Sequence, residues 1–271
     1  MLDIPEIVAA NQPPAIAMIT QKPGGCSKSF GTQIVVDGAY RSGLDLHIFQ
    51  NDNQPFYDPY GAVHHTPLPA TDEVVHDPIA DVRVHSLFDR TLLQAGSTDC
   101  LIYDCAAGSL NRHTYIVDQL DLGLRLAAMG RHILILVPTS AREDIARESL
   151  ETVEVWRDLL PEPHRIVPMI SQRDGDIHRL PSGHDLRKLM KIATDGAYLL
   201  PRIPMSVLND IRRSGMKLCD LADPRNPLAT AEMARTMGMD PTIVQLMRRA
   251  AGTLLSETDE QTMRLGFTLG L

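Results

Sequence analysis

The chain has 271 residues, 44% of them apolar, with a formal charge of −8 and only 4% aromatic residues. That length and apolar share suffice for a full core; the acidity argues against a surface that coats nucleic acid, and the scarcity of aromatics against a base-stacking single-strand binder. No run of about 18 uncharged apolar residues occurs, the N-terminus lacks the basic cluster of a secretion signal, and the cysteines (Cys26, Cys100, Cys105, Cys219) fit neither a disulfide framework nor a zinc template, so a cytoplasmic protein is expected.

In chain order, a short apolar run at Ala15–Thr20 predicts a strand, and Ser29–Arg41 a helix after a glycine-rich loop. Further strands are expected at Leu44–Gln50, Cys100–Asp104, Ile133–Val137, Ile166–Ile170 and Ala197–Leu200. Helices are expected over Thr114–Met129, Arg142–Leu159 and His184–Thr194. The runs Leu101–Tyr103 and Ile133–Val137 lack period-two polarity, as strands buried on both faces should. Alternation of this kind predicts an α/β fold, a doubly wound and mostly parallel sheet with helices on both faces. The segment Pro55–Asp81, broken by five prolines, reads as a long irregular loop.

Between the first strand and its helix stands Gln21-Lys-Pro-Gly-Gly-Cys-Ser-Lys-Ser-Phe30. A phosphate-binding loop needs backbone N–H groups free to point at oxyanions, a helix N-terminus behind them, a lysine for the phosphates and a hydroxyl for Mg²⁺. Gly24, Gly25, Cys26 and Ser27 suit the cradle, Lys28 the phosphates and Ser29 the metal, with Phe30 completing the stretch. An ordinary glycine-rich strand–helix turn would read similarly, and Lys22 and Ser27 stand where the strict Walker pattern has glycine. The second strand runs out into Gln50-Asn-Asp-Asn-Gln54, and Asp52 there could orient or deprotonate a water. Cys100-Leu-Ile-Tyr-Asp-Cys-Ala-Ala-Gly108 is an apolar strand ending in a carboxylate, with a glycine four residues on. Asp104 is placed to hold a Mg²⁺ water shell, and Gly108 to let the backbone swing.

These segments together resemble the ParA/MinD family of P-loop ATPases, whose deviant Walker A loop is written KGGxGK[ST]. The resemblance spans about residues 15–221 and includes Ala197-Tyr-Leu-Leu-Pro-Arg-Ile-Pro204 with its "IP" turn. It implies ATP and Mg²⁺ as ligands, with catalytic roles for Lys28 and Asp52 and metal roles for Ser29 and Asp104. It also implies a signature lysine reaching across a nucleotide-dependent homodimer: Pro23 holds that place in an ungapped alignment, Lys22 if one residue is inserted. By the same resemblance the base would lie near Pro204 and Met205, and near Ser171 and Gln172, where relatives carry Asn. The implied task is partitioning of DNA or positioning of cargo, with a partner protein stimulating hydrolysis; no membrane association is expected, because the last residues lack the helical spacing and lysines of a membrane-targeting helix. The alternative is a non-hydrolysing scaffold or DNA- or protein-binding adaptor.

Residues 1–225 are expected to form the nucleotide-binding domain and 226–271 a helical extension packed on it. Asp240-Pro241 reads as a helix start, and the stretch from Thr230 to Val244 reads either as a helix-turn-helix or as a packed helical pair. Two arginine pairs, Arg212-Arg213 and Arg248-Arg249, are the candidates for contacting DNA phosphates. From Met263 to Leu271 apolar residues alternate with others, which predicts a terminal strand.

Overall fold

The computed structural model describes residues 2–22, 28–51, 55–77, 79–96, 98–223 and 229–268. The first helix-bearing unit runs β1 (Ile16–Ile19), α1 (Lys28–Arg41), β2 (Asp45–Gln50), a 3₁₀ turn (Pro55–Tyr60) and β3 (Ala62–His65). Three short helices, α2 (Thr71–His76), α3 (Ala80–Val84) and α4 (Ser86–Gln94), lead into β4 (Asp99–Asp104). There follow α5 (Leu110–Gln119), α6 (Leu122–Ala128), β5 (Ile133–Ser140), α7 (Glu143–Leu159), β6 (Arg165–Ser171), α8 (Asp185–Ile192) and β7 (Tyr198–Leu200). Four helices end the chain: α9 (Met205–Arg213), α10 (Leu218–Ala222), α11 (Ala229–Met237) and α12 (Pro241–Arg264).

The strands form one sheet in the order β3-β2-β4-β1-β5-β6-β7, and every neighbouring pair is parallel. This is the doubly wound α/β arrangement expected from the sequence. Successive residues of a strand face opposite ways, and both faces are covered. Ala17, Ile19, Ile102, Leu134 and Leu136 pack with α1, α9, α10 and α12; Ile16, Met18, Leu101, Ile133 and Ile135 pack with α4 to α8. Two glycines in α1 mark close approaches: a Cβ on Gly31 would collide with the Met169 side chain of β6, and one on Gly38 with Thr262 of α12. Among the described residues no helix is long and apolar enough to cross a membrane.

Three expectations are corrected. The segment over Pro55–Asp81 is not irregular but holds a 3₁₀ turn, the edge strand β3 and α2, with Tyr57 and Tyr60 buried under it. The single helix expected over Thr114–Met129 is two, because Asp121 takes a left-handed conformation (φ 48°) between α5 and α6. The terminal strand is absent from the described residues: Met263 and Arg264 continue α12, and Leu265 and Phe267 fold back into the core. In α12 Met247, Ala251, Leu254, Thr258 and Thr262 are buried at helical spacing. Leu254 alone contributes about 1.5–3 kcal/mol by leaving water.

At the N-terminal edge of the sheet, His132 is buried, with its Nε2 lacking a hydrogen-bond partner. Burial, reinforced by Arg165, His164 and Arg131, pushes its pKa down to about 4. An unfolded histidine titrates near 6.5. Between those values the unfolded chain binds a proton that the folded chain does not. Stability is therefore full above about pH 6.5 and falls toward pH 4, by roughly 3 kcal/mol. Urea unfolding across that range checks this, and His132→Gln should flatten most of the slope.

Candidate functional site

Parallel sheets present their ligand crevice at the carboxyl ends of the strands, where the order of connection reverses. Here β1 lies between β4 and β5, and Lys28 and Asp104 stand at that edge. Lys28 opens α1 and is 8% exposed; its Nζ donates to Asp104 Oδ1 at the end of β4. The first residues of a helix leave N–H groups without intrahelical partners, so Lys28 stands on an edge suited to an anion. Ser29, next in α1, is half-buried, whereas the Phe30 side chain packs into the core and has only its backbone to offer a ligand.

Asp104 is 3% exposed, and its second oxygen, Oδ2, accepts a hydrogen bond from the Tyr57 hydroxyl at 2.6 Å. Gly108 has φ 76°, a left-handed conformation that favours glycine, with open space where a Cβ would stand. Pro23, Gly24, Gly25, Cys26, Ser27 and Asp52 lie outside the described residues.

Asn51, just before Asp52, ties the end of β2 to the segment after Asp104. Its Nδ2 donates to the Thr66 carbonyl at 2.8 Å and to the Tyr103 hydroxyl at 3.0 Å. Its Oδ1 accepts from the Ala106 N–H at 2.8 Å and lies 3.0 Å from His113 Nε2. The Tyr103 hydroxyl is in turn 2.6 Å from His85 Nε2. A buried polar network with its members satisfied fixes relative positions closely.

On the other flank, Ser171 ends β6 and is buried, Gln172 follows in a 3₁₀ turn, and Pro204 and Met205 are exposed at the start of α9. The two segments meet through Arg173, whose Nη1 lies 3.2 Å from Met205 Sδ. Lys22 is exposed and pairs with Glu151 of α7 at 2.9 Å.

The four arginines divide. Arg213 and Arg249 are exposed. Arg248 donates to the Leu221 and Asp223 carbonyls and to Thr230 Oγ1, holding α10 and α11 to α12. Arg212 is half-buried, with its guanidinium carbon 5.1 Å from the centre of the Phe56 ring. Reading the sequence missed Tyr57, Asn51 and Arg173; the one available signal was the presence of Phe56, Tyr57 and Tyr60 in an otherwise polar, proline-broken segment.

No protein-family profile and no curated protein matches the sequence. Among solved structures the chain is similar to a ParA family ATPase from Chlorobium tepidum, at 15% identity and a TM-score of 0.48 over 84% of this chain and 97% of that one. It is also similar to the septum site-determining protein MinD complexed with Mg-ADP from Pyrococcus horikoshii, at 12% identity and a TM-score of 0.47, covering 88% of this chain and 97% of that one. A third is the MinC:MinD cell division protein complex of Aquifex aeolicus, at 14% identity and a TM-score of 0.45, over 88% and 95% of the two chains.

Proposed function

We propose that the chain is a ParA/MinD-like ATPase that binds Mg-ATP and cycles between a monomer and a dimer with nucleotide between its subunits. Its task in this reading is the partitioning of DNA or the positioning of another cargo. The observation that carries the reading is the convergence of Lys28, at the N-terminus of α1, on the buried Asp104 at the carboxyl end of β4.

Each residue then has a defined role. Lys28 exchanges an Asp104 oxygen for phosphate oxygens, while Gly24, Gly25, Cys26 and Ser27 offer backbone N–H groups to the same phosphates. Asp52 orients the attacking water and takes its proton. The base lies between the Ser171–Gln172 and Pro204–Met205 segments. Ser29 and Asp104 are hard oxygen donors that fit Mg²⁺, which commonly takes one or two protein ligands and completes its shell with water and phosphate. Bound there, Mg²⁺ would neutralise phosphate charge. Lys22 leaves Glu151 to reach the partner's phosphates. Contact with DNA phosphates falls to the exposed Arg213 and Arg249.

Sedimentation tests the cycle. With Mg-ATP the protein is expected to shift from monomer to dimer, and Lys22→Ala to remain monomeric while still binding nucleotide. A dimer that forms equally without nucleotide counts against the reading. Nucleotide binding with no turnover would leave a gated scaffold in place of an ATPase.

A further inference from the structure

Tyr57 belongs to none of the motifs above, yet it holds the central carboxylate of the site. Its side chain is fully buried, and its hydroxyl donates to Asp104 Oδ2 at 2.6 Å while Lys28 takes Oδ1. The two partners are not alike. Lys28 sits on a helix edge where phosphate would claim it. Tyr57 is fixed from several sides: its 3₁₀ turn packs against α1, and the Arg212 guanidinium covers the neighbouring Phe56 ring. The Tyr57 hydroxyl donates to Asp104 Oδ2 and so occupies that oxygen.

A carboxylate at the end of a strand can rotate, and a metal-side oxygen aimed in advance spares the ordering that binding would otherwise require. We infer that Tyr57 is a positioning residue for Asp104: by occupying Oδ2 it turns Oδ1 toward Lys28 and the nucleotide, and so sets the Mg²⁺ dependence of nucleotide binding. The inference rests on the nucleotide site proposed above. It assigns to the 3₁₀ turn Pro55–Tyr60 the work of holding the metal-side carboxylate. Arg212, one of the arginines considered for DNA, serves here as the clamp on that turn.

The test compares the full chain with Tyr57→Phe, which removes one oxygen and keeps the ring. Equilibrium binding of labelled ADP is measured over a Mg²⁺ titration and again in excess EDTA. The variant should need about tenfold more Mg²⁺ for half-maximal enhancement of binding, a change of about 1.4 kcal/mol, with affinity in EDTA unaltered. Equal losses with and without Mg²⁺ would mean the hydroxyl acts only on packing, and would overturn the inference. An unshifted Mg²⁺ midpoint would overturn it as well. Arg212→Met provides a second variant, since it loosens the clamp without touching the hydroxyl; a smaller shift in the same direction is expected. Wild-type protein that binds no nucleotide at any Mg²⁺ concentration would defeat the parent reading. Mg²⁺-dependent wild-type binding with unshifted variants would defeat only the role of Tyr57.

Discussion

Replacing Lys28 with alanine is expected to cripple Mg-ATP binding, weakening it by a factor of about 30 or more. The ammonium is the described cation at the N-terminus of α1, and it is nearly enclosed, so its attraction for an oxyanion is little screened by water. Truncating one partner of such a buried charge contact costs about 2–5 kcal/mol of binding, and each 1.4 kcal/mol is tenfold.

The same change also harms the fold. Without Lys28, Asp104 keeps the Tyr57 hydroxyl as its described hydrogen-bond donor and the more distant Arg212 charge, and a buried carboxylate that loses its contact counter-ion costs about 3–5 kcal/mol of stability. The two effects separate in the double variant Lys28→Ala/Asp104→Asn. Neutralising residue 104 should restore much of the lost melting temperature and none of the nucleotide binding. Equilibrium titration with labelled ATP, alongside thermal unfolding, reads both. Unchanged affinity in a folded Lys28→Ala protein would remove the phosphate role from this loop.

The second large effect is expected at Asp37, away from the nucleotide edge. This carboxylate is wholly buried in α1 and ties three elements to it. It accepts from Arg41 Nε at 2.8 Å within the helix, from the Tyr60 hydroxyl of the 3₁₀ turn at 3.0 Å and from the Cys219 N–H of α10 at 3.0 Å. The Tyr60 oxygen also accepts from the Leu218 N–H at 2.8 Å, and Arg41 pairs onward with Asp259 of α12 at 2.6 Å. Burial pushes the Asp37 pKa up, while Arg41 and the hydrogen bonds oppose that rise. Asp37→Ala should therefore lower the unfolding free energy by about 3–5 kcal/mol, the cost of leaving buried donors unpaired. Asp37→Asn retains acceptor capacity and should fall between the two. Urea unfolding measures both, and a loss below about 1 kcal/mol would mean water replaces the carboxylate freely.

Six of the seven strands (all but β3), α1 and the strand-end aspartate Asp104 were legible in the sequence for one reason. A parallel strand covered on both faces must be a short unbroken apolar run, and an aspartate ending such a run stands out. Leu101–Tyr103 before Asp104 is the clearest case. Local pattern fails where the partner is distant in sequence. The five prolines around it hid β3, since all of them fall outside its four residues; Tyr57 was hidden with it, since its burial depends on α1. At the other end, alternation from Met263 onward suited a strand, yet Met263 is exposed and lies on α12 while Phe267 is buried after it. The helix begun at Pro241 carries through Arg264 and packs against β7 and α1, so tertiary contact overrides the local alternation. The arginine pairs show the same division most simply. Sequence alone determined that two cations stand side by side at 212–213 and at 248–249. Only the tertiary structure decided that the first of each pair turns inward, Arg212 over Phe56 and Arg248 onto the carbonyls of α10 and Asp223, while Arg213 and Arg249 face solvent. Neighbours on a helix point about 100° apart, so one amphipathic boundary sends identical side chains to opposite fates.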